Sequence, residues 1–245
     1  MTDESVIRTV RLDGETFFDL DRYVHCASKM VQGGRKSQQD SMFAGINGEY
    51  FLGVICDGMG GHASGEVASK TVAESITRYW DKHLSYKDDK IKASKACHNA
   101  FRTFNQKNRH IEMGTTMVMA SIQENVLTIA HVGDSRCYLL RKEEGCIFKT
   151  IDHTSFSNGW EVISRSFFTD CPEAVKPDVH QESLLEGDKI LLCSDGIYKY
   201  IAPEALIETL MKEGSPEEYI QMLDTTLEKN GHDNYSAIIV EATNQ

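Results

Sequence analysis

Proline is scarce, with four in 245 residues, and no stretch rich in Pro, Gly or Ser is long enough to serve as a linker. Internal repeats are absent as well. A single domain over residues 1–245 is therefore expected, and at 27.5 kDa it can bury a core that needs no disulfide support. Paired cysteines are missing. The seven thiols, Cys26, Cys56, Cys97, Cys137, Cys146, Cys171 and Cys193, are odd in number and contain no C-x-x-C, which excludes a disulfide framework and a paired-cysteine zinc site. No C-x5-R loop is present either, so thiolate-based phosphoryl chemistry is excluded. Most of these cysteines lie in or beside apolar runs and read as reduced thiols of a cytoplasmic protein. Positive charge is in short supply, with 26 Lys and Arg against 37 Asp and Glu and a formal net charge of −11, which opposes binding to a nucleic-acid backbone. No apolar run approaches a bilayer span, and Asp3, Glu4 and Arg8 interrupt the segment where a signal peptide needs apolar residues, so the chain is expected to be neither exported nor membrane-embedded. The zinc motif H-E-x-x-H and the phosphate-cradling G-x-x-x-x-G-K-[ST] are both lacking.

What is present is a series of short apolar runs that read as strands: Tyr50–Cys56, Thr115–Ile122, Val126–Val132, Cys137–Leu140, Ile190–Cys193 and Tyr235–Val240. Between the first two, Val67, Val72, Ile76, Tyr79 and Trp80, then Ile91, Cys97, Phe101 and Phe104, recur at helical spacing and predict two amphipathic helices. Ser215-Pro216-Glu217-Glu218 is a capping box that opens a third helix, carried by Tyr219, Ile220, Leu223 and Leu227 and closed by Gly231. Pro203 opens a shorter one through Met211. Helices in pairs between groups of strands suit an α+β fold of antiparallel sheets with helices packed outside, and they fit poorly with strict β-α alternation.

Three of the strand-like runs end in an aspartate beside glycine, at Asp57-Gly58, Gly133-Asp134 and Asp195-Gly196, and Asp233-Asn234 immediately precedes the last strand. Each alone reads as a turn. Asp57 and Asp195, however, lead toward helices, which a hairpin would not require. Carboxylates fixed at adjacent strand ends can converge, and hard cations such as Mg²⁺ or Mn²⁺ take one or two carboxylates each with water in the remaining positions. Metal explains the four together better than turns do. It would also supply the positive charge that an acidic protein needs to handle phosphate.

These residues fall in ordered motifs: Arg35-x-x-Gln38-Gln39-Asp40-Ser41, Asp57-Gly58-Met59-Gly60-Gly61-His62 with Gly65-Glu66, Gly114-Thr115-Thr116, Val132-Gly133-Asp134-Ser135-Arg136, Asp152-His153-Thr154, Ser194-Asp195-Gly196 and Asp233-Asn234-Tyr235-Ser236. In that order, from about Arg35 to Val240, they resemble the protein phosphatase 2C (metal-dependent, PPM-type) serine/threonine phosphatases in their bacterial single-domain form. The resemblance implies a central sandwich of two antiparallel β-sheets flanked by α-helices on both outer faces, with a metal centre at one end. It implies Asp57 as the ligand bridging two Mn²⁺ or Mg²⁺ ions, Gly58 as a ligand through its carbonyl, Asp195 and Asp233 as ligands of one ion, and Asp40 as holder of metal-bound water. Asp134 matches a position that helps bind a third, weaker cation. Arg35 matches the side chain that grips the substrate phosphate, and His62 the proton donor to the leaving alcohol. Two features depart from the pattern. Gln39 places an amide where a carboxylate is frequent, and residues 155–186 form a shorter flap region without the helical pattern expected there. Residues 1–22 stand as an extension for which Val6–Leu12 and Phe17-Phe18 suggest a hairpin or a cover on the core.

The implied reaction is direct in-line attack on phosphoserine or phosphothreonine by water activated between two cations. A lone general acid, worth ~10²–10⁴-fold, falls far short of the up to ~10²¹-fold acceleration known for phosphate monoesters. The implied partners are phosphorylated proteins of a serine/threonine kinase, with no nucleic acid and no membrane, and the expected state is a monomer. Two alternatives stand beside this: another two-metal hydrolase acting on nucleotides, and a non-catalytic regulator of the same fold that binds a phosphoprotein or a kinase. For Arg35 alone the reading is a surface ion pair, for His62 a capping or turn residue, for Asp40 a solvated loop carboxylate, and His153 is taken as a turn residue.

Overall fold

The computed structural model describes residues 16–20, 24–47, 50–59, 64–85 and 88–243. In chain order it contains β1 (Thr16–Leu20), β2 (Val24–Val31), β3 (Asp40–Asn47), β4 (Tyr50–Met59), α1 (Gly65–Lys82), α2 (Asp89–Asn108), β5 (Gly114–Thr115), β6 (Met117–Gln123), β7 (Val126–Val132), β8 (Arg136–Arg141) and β9 (Gly145–Lys149). There follow β10 (Thr154–Ser157), β11 (Trp160–Ile163), β12 (Phe167–Phe168), β13 (Asp178–Ser183), β14 (Lys189–Cys193), α3 (Asp195–Tyr198), α4 (Pro203–Met211), α5 (Pro216–Asn230) and β15 (Tyr235–Ala242). One sheet runs β1-β2-β15-β14-β8-β9, and the other runs β12-β5-β4-β6-β7-β13 with β3 on the free side of β4. Every pairing within them is antiparallel.

The strand period of two builds four layers from these elements. Along β6, Met117 and Met119 face α1 and α2 while Val118 and Ala120 face the opposite sheet. Along β15, Ile238 and Val240 enter the space between the sheets while Ile239 turns out to α4 and α5. Strands buried on both faces therefore read as continuous apolar runs, whereas the helices need only one apolar stripe. On α2 that stripe is Ala93, Ala96, Cys97, Ala100, Phe101 and Phe104. The α+β sandwich with helices on both outer faces is thus the one the motifs implied.

Several local expectations change. Val67 and Ile91 point away from the core, at 41% and 47% exposure, because the buried stripes run through Ala68 and Val72 on α1 and through Lys92 and Ala96 on α2. The run Thr115–Ile122 is broken at Thr116 into β5 and β6. Strand β4 continues past Cys56 through Asp57 and Gly58, which are strand residues and not a turn. Thr16–Leu20 pairs with β2 as the first arm of a hairpin, while Val6–Leu12 lies outside the described residues. The capping box forms as read: the Ser215 side chain accepts the Glu218 N–H, and the Glu218 carboxylate accepts the Ser215 N–H at 2.8 Å. All seven cysteines are free thiols, and among the described residues no helix is long and apolar enough to cross a membrane.

Lys92 is the least expected member of the interior. Its ammonium is fully buried 3.9 Å from the Trp80 ring centroid, and among the described residues Lys92 Nζ, Trp80 Nε1 and Asp89 Oδ1 have no hydrogen-bond partner. Burial pushes its pKa down to about 8. In the unfolded chain this amine keeps its proton up to about 10.5, so between those values folding releases a proton and stability rises with pH. Wild type should therefore gain stability relative to Lys92→Met between pH 8 and pH 10 in chemical denaturation. A pH-independent difference would mean that the buried ammonium titrates normally.

Candidate metal centre

Both sheets end at the same edge of the sandwich, and each delivers carboxylates there. Asp40 opens β3 directly opposite Asp57 on β4. Asp57 is fixed through its backbone: its N–H donates to Thr116 Oγ1 at 3.1 Å, and its carbonyl accepts the Thr116 N–H at 2.9 Å and the Thr115 hydroxyl at 2.8 Å. From the other sheet, Asp195 is the first residue of α3 after β14, and Asp233 stands just before β15. Asp40 ties the sheets together, since its Oδ2 accepts hydroxyls from Ser194 at 2.8 Å and Ser236 at 2.7 Å. The Ser236 N–H in turn donates to Ser194 Oγ. Asp134 occupies the turn by which β7 of one sheet passes to β8 of the other.

Neutral side chains hold the loops that carry these groups. Asn234 accepts the Gln39 N–H at 2.9 Å and donates to the carbonyls of Gln32 and Ser37, which folds the Arg35 loop against Asp233. Gly196 lets the Asp195 and Asp233 turns touch, because a Cβ there would lie 1.9 Å from the Asn234 carbonyl oxygen. Behind Asp134, Tyr198 donates its hydroxyl to the Asp134 carbonyl at 3.0 Å. The Tyr198 ring lies 3.4 Å under the Arg136 guanidinium, which grips Asp152 with two nitrogens.

The electrostatics follow from five aspartates sharing one corner. Burial and then the Asp40 and Asp195 charges push Asp57 far above the usual carboxylate range. Burial pushes Asp40 up to about 7 against the opposing hydrogen bonds from Ser236 and Ser194, and it pushes Asp134 up to about 6, helped by the charge of Asp195. The side-chain cations at hand are Arg35, which donates to Asp233 Oδ2 at 2.6 Å, and Lys199, which donates to Asp195 Oδ2. Such a donor set, acidic, oxygen-only and undercompensated, suits hard divalent cations.

The sequence-predicted residues Arg35, Asp40, Asp57, Gly58, Asp134, Asp195 and Asp233 all meet at this edge. Asp40 is not a solvated loop carboxylate, being only 4% exposed. His62, with Gly60 and Gly61, lies outside the described residues. Ser194, Ser236, Asn234 and Lys199 carry functions in the site that sequence reasoning did not assign. The spacing of Ser194 and Ser236, each beside an aspartate-bearing turn, was the available signal. Nor is His153 a simple turn residue: it is buried and bonded to Gly133 and Asp178. Among the described residues, His131, His153 and Asp178 form the group of three ligand atoms within 4.8 Å of one another; the aspartates stand farther apart, with Asp233 and Asp195 turned to their basic partners.

A two-sheet sandwich with helices on both faces and an acidic edge defines the class, and the comparisons with known proteins give the family. The family model described as protein phosphatase 2C matches residues 31–238, and the chain belongs to that family. It is 27% identical over 227 residues to the serine/threonine protein phosphatase PstP of Mycobacterium tuberculosis, covering 84% of this chain but only 42% of that protein. It is likewise 27% identical to the serine/threonine phosphatase stp of Listeria innocua, covering 77% of this chain and 83% of the relative. Among solved structures, the catalytic domain of PstP in complex with two manganese ions aligns with a TM-score of 0.76 and 27% identity, over 91% of this chain and 99% of that one. A serine/threonine phosphatase of S. agalactiae aligns with a TM-score of 0.79 at 23% identity, over 89% and 99% of the two chains, a likeness of fold.

The raised carboxylate pKa values set a pH dependence. A carboxyl that binds its proton more tightly folded than unfolded stabilises the fold below its unfolded pKa near 3.8, and that contribution is lost as pH rises through its folded value. In EDTA, stability should therefore fall between pH 4 and pH 7, and added Mn²⁺ should raise the melting temperature more at pH 7.5 than at pH 5. Equal Mn²⁺ shifts at both pH values would mean that these carboxylates are not the ones receiving the ion.

Proposed function

We propose that this chain is a metal-dependent protein serine/threonine phosphatase that hydrolyses phosphoserine and phosphothreonine without a phosphoenzyme. The observation that carries the reading is the convergence of Asp40, Asp57, Asp134, Asp195 and Asp233, drawn from both sheets, with Arg35 as the neighbouring arginine. In this reading Asp57 would serve both of two cations, Mn²⁺ or Mg²⁺, the Gly58 carbonyl would add a ligand, Asp195 and Asp233 would serve one of the two, and Asp134 would contribute to a third and weaker site. The cations, when bound, supply neutralising charge and water activation for in-line attack on the phosphorus.

The remaining steps belong to side chains of the chain. Asp40, oriented by the Ser194 and Ser236 hydroxyls, accepts a hydrogen bond from the attacking water and sets its direction. Arg35 exchanges Asp233 for the substrate phosphate, whose oxygens its planar fork matches. His62 donates the proton that the departing serine or threonine oxygen needs. The substrates are phosphorylated proteins, the partner is a serine/threonine kinase acting on the same proteins, and the chain works as a cytoplasmic monomer.

Phosphothreonine-peptide hydrolysis with Mn²⁺ and with EDTA tests the reading directly. Asp57→Asn and Asp195→Ala should each lower turnover by at least ~10²-fold with the far-ultraviolet circular dichroism unchanged, and full activity in either would reject the ligand assignment. Undetectable turnover in wild type with Mn²⁺ bound would favour a non-catalytic regulator. His62→Ala should slow turnover by ~10²-fold or more on alkyl phosphates and much less on an activated aryl phosphate. Equal losses on the two would remove the acid role.

A further inference from the structure

The acidic edge is joined to the flap by an unbroken line of hydrogen bonds. Gly133 adopts φ +108°, and a Cβ there would lie 2.6 Å from Thr116, the residue whose hydroxyl accepts the Asp57 N–H. The same Thr116 hydroxyl meets Ser135 Oγ at 2.7 Å, so the turn of residues 133–135 is braced against Asp57 on one side. On its other side stands His153. The His153 N–H donates to the Gly133 carbonyl at 3.0 Å, and the Gly133 N–H donates to His153 Nδ1 at 3.1 Å. His153 Nε2 then reaches Asp178 Oδ2 at 3.0 Å, and Asp178 Oδ1 accepts Arg165 Nη1 at 2.8 Å. Arg165 belongs to the flap segment between β11 and β12, and Asp178 opens β13.

The chemistry of the ring determines what this cluster can do. A peptide N–H donates only, so the Gly133 bond leaves Nδ1 unprotonated and places the ring proton on Nε2, facing Asp178. His131 stacks on the same ring at 4.4 Å and donates its Nε2–H to the Ile151 carbonyl at 2.9 Å, fixing the ring plane. His131, His153 and Asp178 are spaced closely enough to suggest a transition-metal site. A metal on His153 Nε2 would move the ring proton to Nδ1, against the Gly133 N–H, so the hydrogen-bonded arrangement excludes that use. Each polar atom in the relay already has the partner its protonation requires.

We propose that Asp178 and His153 are positioning residues: they clamp the Gly133–Asp134–Ser135 turn and, through Arg165, couple the flap to the place of Asp134 in the site. The inference rests on the reading of Asp134 as a ligand of the weaker cation. His153 is buried, and truncating it risks the fold, whereas the Asp178 side chain is half exposed and can be changed safely.

Equilibrium Mn²⁺ binding to the full chain, read from the paramagnetic resonance of the free ion, tests the clamp. Asp178→Ala should weaken the low-affinity ion by roughly ten- to hundredfold and leave the two tighter ions as in wild type. Asp178→Asn, whose single amide oxygen can still accept from His153 while its NH2 is left facing Arg165, should bind the weak ion measurably better than Asp178→Ala. Turnover of Asp178→Ala should return toward wild type at saturating Mn²⁺, which a general loss of structure would not permit. Unchanged weak binding in Asp178→Ala, or equal loss in the Ala and Asn variants, would overturn the clamp. Asp134→Ala is the control for the underlying reading. Loss of the weak ion there alone defeats only the clamp, while its retention defeats the Asp134 assignment and the clamp with it.

Discussion

Repulsion among carboxylates buried at one edge of a two-sheet sandwich is the constraint around which the rest of this molecule is arranged. Asp40 and Asp57 face each other across an antiparallel pair, and Asp195 and Asp134 add their charges from the other side. Left in a low-dielectric corner, such groups favour protonation or separation. The fold resists separation with rigid backbone: strand pairing at Asp57, two serine hydroxyls on Asp40, and a glycine at 196 that brings two loops into contact. A site held against its own charge in this way suits divalent cations, which in the proposed function offset the net charge of −11.

The four-layer architecture explains why the carboxylates can be held so firmly. The two sheets pack through Phe51, Ile55, Val118, Ile129, Leu139, Leu192 and Ile238, and each outer face is covered by helices. The strand ends then emerge from a rigid interior, and the loops that follow them complete the edge. Asp134 differs from the others in sitting on a crossover between sheets, and its place depends on neighbouring turns as much as on strands. That difference fits the proposed assignment of Asp134 to the weaker cation.

Much of this was legible in the residues. Runs buried on both faces, such as Val126–Val132 and Tyr235–Val240, are unmistakable because almost every residue in them is apolar. Strands β2 and β3 escaped because Ser28, Lys29, Asp40, Ser41 and Gly45 interrupt their alternation, and the partners of Lys29, Asp40 and Ser41 are visible only in three dimensions. Lys92 shows the opposite failure: its charge alone would have placed it outside, yet it lies on the buried stripe of α2 beside the Trp80 and Tyr50 rings. In the site, aspartates at strand ends were readable as a pattern. Ser194, Ser236 and Asn234 were not, since small polar residues beside turns are common and their roles arise from contacts across some two hundred residues of sequence.

The most direct test of the account is a crystal of this chain grown with Mn²⁺ and measured at the manganese absorption edge. Two anomalous peaks flanking the Asp57 carboxylate, one of them also in contact with Asp195 and Asp233, are the predicted result. Manganese at His131, His153 and Asp178 instead, or no ordered ion at Asp57, would contradict it.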